Sequence, residues 1–288
     1  MTVANAMKSK VCVVTGANAG IGFEIALGLA RQQAHTVLVS RDSARGDAAV
    51  NAIKAAVPGA AVSLIVGDLA SVAGTHALAQ TLAARYPQIH VLINNAGVWM
   101  VEKQITVDGL EQSFMVNHLA PLILNHKLRT NLLAAATATE PARIINVNSG
   151  LYVKGKVDIE RTPIGADFGR IASYANSKLC NVLVLRKEAE QLTGCAVTIN
   201  HVHPGVVRTG LGEMSGLLGW VLRQVKKAWL NPVQGAEAPL WLATSPEVSK
   251  ITGGYFNMKQ QIPLAKVANN PALEQQMWEL SMRLGKLA

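Results

Sequence analysis

Residues 11–22 read VCVVTGANAGIG and join two different periodicities. The β-rich run Val11–Thr15 precedes three glycines, and apolar Ile21, Ile25 and Leu29 then fall on one face of a predicted helix. Glycines at a strand-to-helix turn let the backbone turn sharply and approach a pyrophosphate, whose charge is favoured at a helix N-terminus. The stretch therefore predicts a nucleotide-binding βα unit, and a tight turn that holds no ligand is the alternative.

Segments typical of strands and helices alternate from this unit to the end of the chain. The sequence predicts helices over Gly20–Gln33, Ser43–Val57 and about Ser71–Arg85. It predicts further strands over Thr36–Val39, Val62–Val66, Val91–Ile93, Arg143–Val147, Ala196–Val202 and Gly254–Phe256. Such alternation requires crossover connections and a parallel sheet. We expect one α/β domain over residues 1–288, a Rossmann-type doubly wound parallel sheet of about seven strands with helices on both faces.

Two stretches interrupt the alternation. Residues 150–171 are rich in Gly and charge, and residues 210–230 are apolar and basic. Such insertions normally lie at the ligand-binding end of a parallel sheet. In the second one, the apolar stripe that includes Leu218 and Leu222 predicts a lid over the site. Because Lys226 and Lys227 add positive charge, the alternative is a lid that also contacts an anionic membrane surface.

Composition narrows the functional class. The net charge is +9, but no block of consecutive Lys or Arg appears, which argues against nucleic-acid binding. Cys12, Cys180 and Cys195 lack metal-ligand spacing and predict reduced thiols in a cytoplasmic protein. The N-terminus lacks the apolar segment of a signal peptide, and no apolar run approaches the roughly 18 residues that span a bilayer.

The end of the second predicted strand indicates which nicotinamide cofactor is used. An acidic residue there binds the ribose hydroxyl of NAD, whereas an Arg accommodates the 2′-phosphate of NADP. The chain has Ser40, which can donate a hydrogen bond, and Arg41, which can pair with a phosphate. This favours NADP(H). NAD(H) is the alternative, because Asp42 follows directly and would face the ribose if the strand ended one residue later.

The ends of the next two strands carry further candidate residues. Gly67-Asp68-Leu69 ends the third strand, where Asp68 could also be a simple turn residue. Asn94-Asn95-Ala96-Gly97 ends the fourth and is more distinctive. Its small residues leave room for a cofactor, and its Asn side chains can bridge neighbouring strands.

Tyr174 and Lys178 are the candidate chemical pair. They lie four residues apart in a predicted helix and therefore share a face. Carbonyl reduction by hydride needs an acid for the developing alkoxide, and a phenol near pKa 10 becomes a better match if a nearby ammonium stabilises the phenolate. Tyr-x-x-x-Lys also occurs by chance, but Ser149 follows the fifth strand at the same sheet end.

The chain resembles the short-chain dehydrogenase/reductase family over about residues 8–260, and its retinol dehydrogenase-like branch in particular. The resemblance is carried by the Gly-x-x-x-Gly-x-Gly spacing, by residues 94–97, by VNHLAP at 116–121 and by YANSKLCNVL at 174–183. It implies the catalytic residues Asn117, Ser149, Tyr174 and Lys178. It also implies the cofactor-binding residues Gly16, Asn18, Gly20, Ile21, Gly22, Ser40, Arg41, Asp68, Leu69, Asn95, Ala96, Gly97, Tyr174, Lys178, Val207 and Thr209.

The resemblance also implies roles for single residues. Ser149 would hydrogen-bond the substrate oxygen, and Asn117 would hold a water that links Lys178 to solvent. Asp68 would contact the adenine. The backbone of Val207 and the hydroxyl of Thr209 would hold the nicotinamide carboxamide.

Together these patterns predict an NADP(H)-dependent oxidoreductase that interconverts a lipophilic ketone or aldehyde with its alcohol. One alternative is an NADP-binding regulatory or scaffold protein without turnover, and another is a reductase of C=C bonds. The expected partner is a small carbonyl or alcohol substrate, with self-association and membrane contact through 211–230 compatible with the sequence. The lone histidines His118, His201 and His203 have no metal spacing, and we expect no metal site.

Overall fold

A computed structural model describes residues 7–207 and 230–287. Its sheet has eight strands in the order β3-β2-β1-β4-β5-β6-β7-β8. The strands are β1 Val11–Thr15, β2 His35–Ser40, β3 Val62–Val66, β4 Val91–Asn94, β5 Ala142–Val147, β6 Val197–His203, β7 Gly254–Asn257 and β8 Gln260–Ile262. The first seven pair in parallel, as predicted, and β8 pairs antiparallel with β7.

The eighth strand was not predicted. It spans three residues, begins with two glutamines, and follows a tight turn in which Met258 has φ of 55°. A polar strand of this length has no apolar alternation to detect. β8 is a strand only because it pairs with β7, and this pairing forms only in the folded chain.

Helices cover both faces of the sheet. Among the described residues the α-helices are α1 Gly20–Arg31, α2 Ser43–Ala56, α3 Val72–Arg85, α4 Gln112–Phe114, α5 Ala120–Lys127, α6 Arg129–Ala135, α7 Arg170–Gln191, α8 Pro232–Thr244 and α9 Pro271–Leu284. None of the helices in the described ranges is both long and apolar enough to cross a membrane.

Alternating strand residues supply two separate apolar cores. In β1, Val13 packs into the core that contains α3, α5 and α7, whereas Val14 packs into the core that contains α1, α2 and α8. Successive side chains of a strand point to opposite faces, so a strand covered on both faces is apolar throughout. The low aromatic content fits these cores, because aliphatic side chains fill most of both.

The chain reverses its direction of winding between β1 and β4, which are neighbours in the sheet. In open α/β sheets ligands bind at such a switch point, outside the carboxyl ends of the strands. The glycine turn after β1 and residues 95–97 after β4 lie there. Of the two predicted insertions, residues 150–171 follow β5 at the same edge, as a 3₁₀ turn Gly150–Lys154 and irregular backbone. The lid predicted over 210–230 lies, except for Leu230, outside the described residues.

Candidate active site

The glycine turn after β1 has the shape of an anion cradle. Gly16 and Gly20 adopt φ of 65° and 58°, a left-handed conformation that glycine reaches without strain. A Cβ on Gly16 would lie 2.9 Å from Cα of Ala96, and a Cβ on Gly22 would collide with Nδ2 of Asn95. The turn is therefore packed directly against the end of β4.

The N-terminus of α1 is open toward this turn. Its N-cap residue is Ala19, which has no side-chain acceptor for the first amides, whereas Asp42 and Ser71 cap α2 and α3 with side-chain hydrogen bonds. Asn18 and Ile21, which flank the cap, are half-buried. An uncapped N-terminus beside a glycine turn fits a phosphate group.

Asn95 joins the two strand ends. Its side-chain Nδ2 donates to the Thr15 carbonyl at 3.0 Å, and the backbone amides of Asn95 and Ala96 donate to Thr15 Oγ1 at 3.1 and 3.0 Å. Ala96 and Gly97 remain half-buried at the edge of the sheet. The predicted bridging by Asn side chains is therefore present, and the small residues leave the edge accessible.

The residues after β2 differ in what they face. The strand ends at Ser40, and exposed Arg41 is the first residue beyond it. The Asp42 carboxylate accepts from the backbone amide of Arg45 at 2.9 Å and so caps α2. Buried Ser40 donates to the Asp42 carbonyl at 2.8 Å. The acidic group that raised the NAD(H) alternative is thus engaged by the helix.

Asp68 and Leu69 lie at the end of β3 as predicted. Asp68 is exposed, and its carboxylate accepts from the backbone amide of Ala70 at 3.1 Å, which is the behaviour of a turn residue. Leu69 is buried in the core.

The four predicted catalytic residues meet at this edge. Tyr174 and Lys178 lie on one face of α7, and Lys178 Nζ is 5.7 Å from the centre of the Tyr174 ring. Lys178 Nζ donates to the Val147 carbonyl at 3.0 Å. Ser149 follows β5 and accepts the amide of Leu151 at its Oγ, at 3.2 Å.

Asn117 lies in a π-helical turn, Met115–Leu119, between α4 and α5. Pro121 has no N–H to donate to the Asn117 carbonyl in an α-helical pattern, and the carbonyl instead accepts Asn181 Nδ2 at 2.8 Å. The Asn117 side chain bonds the amide and carbonyl of Val98 at 2.7 and 2.8 Å and Ser177 Oγ at 3.0 Å. It ties the end of β4 to α7.

Comparison with known proteins fits this geometry. The profile of the short chain dehydrogenase family matches residues 10–216. The chain is a short-chain dehydrogenase. Retinol dehydrogenase 14 of Mus musculus is 33% identical over 96% of this chain and 85% of its own length. Retinol dehydrogenase 12 of Homo sapiens is 34% identical over 96% and 87%, respectively. The dehydrogenase belongs to the retinol dehydrogenase-like branch, and it is an oxidoreductase acting on a carbonyl and alcohol pair.

Solved structures share the fold of this dehydrogenase. An uncharacterized protein from Mycobacterium Paratuberculosis has a TM-score of 0.76 and 24% identity, covering 99% of this chain and 98% of its own. The RhlG/NADP complex from Pseudomonas aeruginosa has a TM-score of 0.69 and 23% identity, covering 90% and 98%. Identities this low support the fold and leave function to the site itself.

Burial controls the pKa values of the chemical pair in the dehydrogenase. Burial raises the pKa of the Tyr174 phenol, and a hydrogen bond with Ser149 partly offsets that rise. Burial also lowers the pKa of Lys178 to about 8. The sequence predicts a phenol pKa lowered by the ammonium. The polypeptide alone gives the opposite direction, because removal of the phenolate from water outweighs the groups that stabilise it.

Trp99 was not among the predicted site residues. Its ring stacks on Tyr174 with centroids 4.7 Å apart and planes 11° apart, and its Nε1 donates to the Arg170 carbonyl at 2.6 Å. The indole therefore covers one face of the phenol. An aromatic residue two positions after Gly97 was the available signal, but only the folded chain brings it to α7.

A cavity of about 280 Å³ lies at the ends of β5, β6 and β7. Gly150, His203 and Asn257 line it together with apolar residues such as Ile262 and Pro263. Its location beside Ser149 suits a small, largely apolar ligand.

Val207 forms an isolated β-bridge with Leu230. Its side chain packs closely against Gly235, where a Cβ would lie only 2.6 Å from Cγ2 of Val207. Thr209 lies outside the described residues.

Of the histidines singled out in the sequence, His118 and His201 are buried in hydrogen-bonded sites, whereas His203 is half-buried and its Nδ1 has no hydrogen-bond partner. Burial lowers the pKa of His118 to about 4 and that of His201 to about 3, so both are neutral near pH 7. His118 bonds Asn181 and Ser281. Over residues 7–207 and 230–287, no three His, Cys, Asp or Glu side chains come together as metal ligands.

Proposed function

We propose that this dehydrogenase is an NADP(H)-dependent enzyme that interconverts a lipophilic ketone or aldehyde with its alcohol, with Tyr174 as the general acid and base. One observation carries the proposal: Tyr174, Lys178 and Ser149 meet at the carboxyl edge of the sheet, next to the glycine cradle. The whole chain, residues 1–288, acts as one catalytic domain, with substrate-side insertions at 150–171 and 210–230.

The nicotinamide, when bound, supplies or accepts the hydride. Ser149 orients the substrate oxygen, and Tyr174 delivers a proton to that oxygen in reduction or removes it in oxidation. Lys178 holds its ammonium 5.7 Å from the centre of the Tyr174 ring, where a positive charge favours the phenolate. Asn117 holds Val98 and Ser177 in place, and thereby fixes α7 against the end of β4.

Cofactor binding is assigned to the open N-terminus of α1 and its surroundings. Gly16, Gly20 and Gly22 leave room for the pyrophosphate, and Asn18 and Ile21 flank it. In the same proposal Asp68, Leu69, Asn95, Ala96 and Gly97 line the adenosine and nicotinamide sides, and Val207 and Thr209 hold the carboxamide.

The preference for NADP(H) rests on Arg41. It is exposed and directly follows β2, while the Asp42 carboxylate is occupied as the cap of α2. Replacing Arg41 with Ala removes a charge-assisted hydrogen bond, so kcat/KM for NADPH falls by roughly 10- to 100-fold while that for NADH changes little. An unchanged NADPH-to-NADH ratio would contradict the assignment.

The lipophilic substrate class is supported by the retinol dehydrogenases to which the chain is similar. Membrane contact through residues 211–230 extends this proposal. Liposome co-sedimentation of wild type and Lys226→Glu/Lys227→Glu tests it, and equal sedimentation of the two proteins removes it.

The central test is Tyr174→Phe. NADPH oxidation is measured with a panel of aldehydes, ketones and quinones, and kcat for the variant falls by roughly 10²- to 10⁴-fold because the proton donor is lost. Cofactor binding, followed by quenching of protein fluorescence, stays near wild type. Equal turnover by wild type and variant would sink the mechanism. Cofactor binding without turnover on any substrate would favour a scaffold protein, and saturated products would favour reduction of C=C bonds.

A further inference from the structure

A row of buried polar side chains crosses the middle of the sheet and ends at the catalytic residues. We call it the buried polar row. Its members come from α7, α5, β4, β5, β6 and the segment after β5, and each is at most 7% exposed. They are, in spatial order, Glu188, Asn125, Asn94, Asn146, His201 and Asn148.

The catalytic end of the row has a fixed direction. Asn148 Oδ1 accepts the backbone amide of Ser149 at 2.7 Å, and Asn148 Nδ2 donates to the Lys178 carbonyl at 3.2 Å. A backbone amide can only donate and a carbonyl can only accept, so the Asn148 amide cannot be turned over. Its Nδ2 also lies 3.3 Å from His201 Nδ1. His201 Nδ1 is therefore the acceptor there.

The proton of His201 must then be on Nε2. His201 is fully buried and neutral, because burial lowers its pKa to about 3, and a neutral imidazole carries one N–H. Nε2 lies 2.9 Å from an amide atom of Asn146. That atom has to be the oxygen. The amide oxygen and nitrogen have nearly the same shape, so their assignment follows from the hydrogen bonds.

The same reasoning passes to the next two amides. With its oxygen toward His201, Asn146 presents its NH₂ to Asn94 across a 2.8 Å contact, so Asn94 must present oxygen. The same atom of Asn94 lies 2.7 Å from Asn125, which must present NH₂. The opposite orientation of these amides places NH₂ groups against both nitrogens of neutral His201, one of which carries a proton and cannot accept.

The last contact decides the state of Glu188. With its NH₂ toward Asn94, Asn125 faces Glu188 Oε1 with its oxygen, at 2.8 Å. Two oxygens at that distance need a proton between them. We infer that Glu188 is a protonated carboxylic acid, and a positioning residue that donates into the buried polar row and so orients the backbone of Ser149 and Lys178.

The surroundings of Glu188 fit this state. Burial raises its pKa to about 7. A cavity of about 40 Å³ lies beside it, which is large enough for a water molecule that exchanges the proton. His126 of α5 and Arg129 of α6 are the charged or titratable groups that share this cavity, and β5, β6 and α9 contribute Ile144, Ile199 and Trp278.

Loss of the proton reverses the direction of hydrogen bonding in the row. Ionised Glu188 can only accept, so Asn125, Asn94 and Asn146 turn over, and two NH₂ groups then compete at His201. Since Asn148 cannot turn, its contact with His201 is broken. The order of the segment at Ser149 and of the adjoining turn of α7 therefore depends on the protonation of Glu188.

Infrared difference spectroscopy tests the protonation without any substrate. The spectrum of wild type minus Glu188→Gln near pH 6 should contain the C=O band of a protonated carboxylic acid. The same band should disappear from wild-type protein between about pH 6 and pH 8.5, which needs no variant. The matched control is Glu274→Gln, because Glu274 is also buried but pairs with Arg186 at 2.9 Å. Absence of the band from both wild-type comparisons would overturn the inference.

The positioning role rests on the proposed function and has its own readout. Wild-type kcat/KM should fall roughly twofold to tenfold relative to Glu188→Gln as the pH rises from 6 to 8.5, the effect of one hydrogen bond. Gln can donate to Asn125 at every pH, so Glu188→Gln should match wild type at pH 6 and exceed it at pH 8.5, whereas Glu188→Leu should lie below Glu188→Gln at every pH. A constant ratio of wild type to Glu188→Gln would overturn the positioning role. Failure of the proposed function would abolish turnover in all variants and leave the infrared result unaffected.

Discussion

The two halves of the sheet are built in different ways. In β1 and β2, residues such as Val13, Val37 and Leu38 fill both faces and are fully buried. In β4, β5 and β6, the buried positions instead include Asn94, Asn146 and His201. Apolar burial stabilises without direction, whereas buried polar groups must be paired and therefore fix orientation. The half that contains β1 and β2, which we call the cofactor half, depends on packing. The half that contains β4, β5 and β6, which we call the catalytic half, depends on directed hydrogen bonds.

The largest expected effect lies in the catalytic half. Replacing Lys178 with Met keeps the approximate length of the side chain and removes the positive charge that lies 5.7 Å from the centre of the Tyr174 ring. We expect kcat/KM to fall by roughly 10²-fold or more. Steady-state NADPH oxidation measures it, with Lys187→Met as the control, because Lys187 is half-buried on α7 and pairs with Glu190 at 3.3 Å. Comparable losses in both variants would remove the special role of the buried lysine.

The same variant has a pH signature in stability. Burial lowers the folded-state pKa of Lys178 from 10.5 to about 8, so the unfolded chain binds more protons between these values. The stability that this group contributes is present above pH 10.5 and is lost as the pH falls through 8. The free energy of unfolding of wild type, measured with denaturant and compared with that of Lys178→Met, should therefore increase as the pH rises from 8 to 10.5. A flat difference would contradict the burial of an ammonium.

The next effect lies in the cofactor half. Leu38→Ala in β2 leaves a cavity in a fully buried site and should lower the free energy of unfolding by about 2–5 kcal/mol. The value of kcat should stay near wild type, because Leu38 lies in β2, which pairs with β1 and β3 and carries none of the predicted catalytic residues. Asn146→Ala is the matched variant in β5, and it should lower kcat as well as stability. Equal effects of both variants on kcat would erase the difference between the halves.

Gly22→Ala tests the contact between the halves. The added Cβ collides with Asn95 Nδ2 and the Gly16 carbonyl, and the cradle has to shift. Overpacking of this kind costs about 1–3 kcal/mol, so the KM for NADPH should rise by roughly tenfold. Gly59→Ala is the control for adding a methyl to a glycine in open space, although its φ of 80° adds strain. Unchanged cofactor affinity in Gly22→Ala would argue against the cradle.

The smallest effect is expected at Trp99. Stacked aromatic pairs are worth about 0.5–1.5 kcal/mol beyond their burial, so Trp99→Ala should lower kcat/KM by roughly twofold to tenfold. Trp99→Phe retains a stacking ring and should recover most of the loss. Identical rates for the Ala and Phe variants would show that the stack on Tyr174 is dispensable.

Much of the site follows from local sequence. Local sequence predicts the glycine turn, the helix after it and the helical face that Tyr174 and Lys178 share, because each depends on residues that are close along the chain. The structure has all three at the predicted positions. Trp99 and Asn117 show where such reasoning stops. The ring of Trp99 stacks on that of Tyr174, which is 75 positions away in the sequence. The Asn117 side chain is hydrogen-bonded to Val98 and Ser177, and a motif match does not reveal these contacts.

The sequence by itself determined the order of strands and helices, the parallel sheet and the face shared by the chemical pair, because periodicity and turn residues act locally. Tertiary structure alone decided that Asn94, Asn146 and His201 stand side by side, since this depends on the register of three strands. It also decided the depth at which Glu188 and Lys178 are buried. Their pKa values follow from that depth, because the cost of a buried charge is set by everything packed around it.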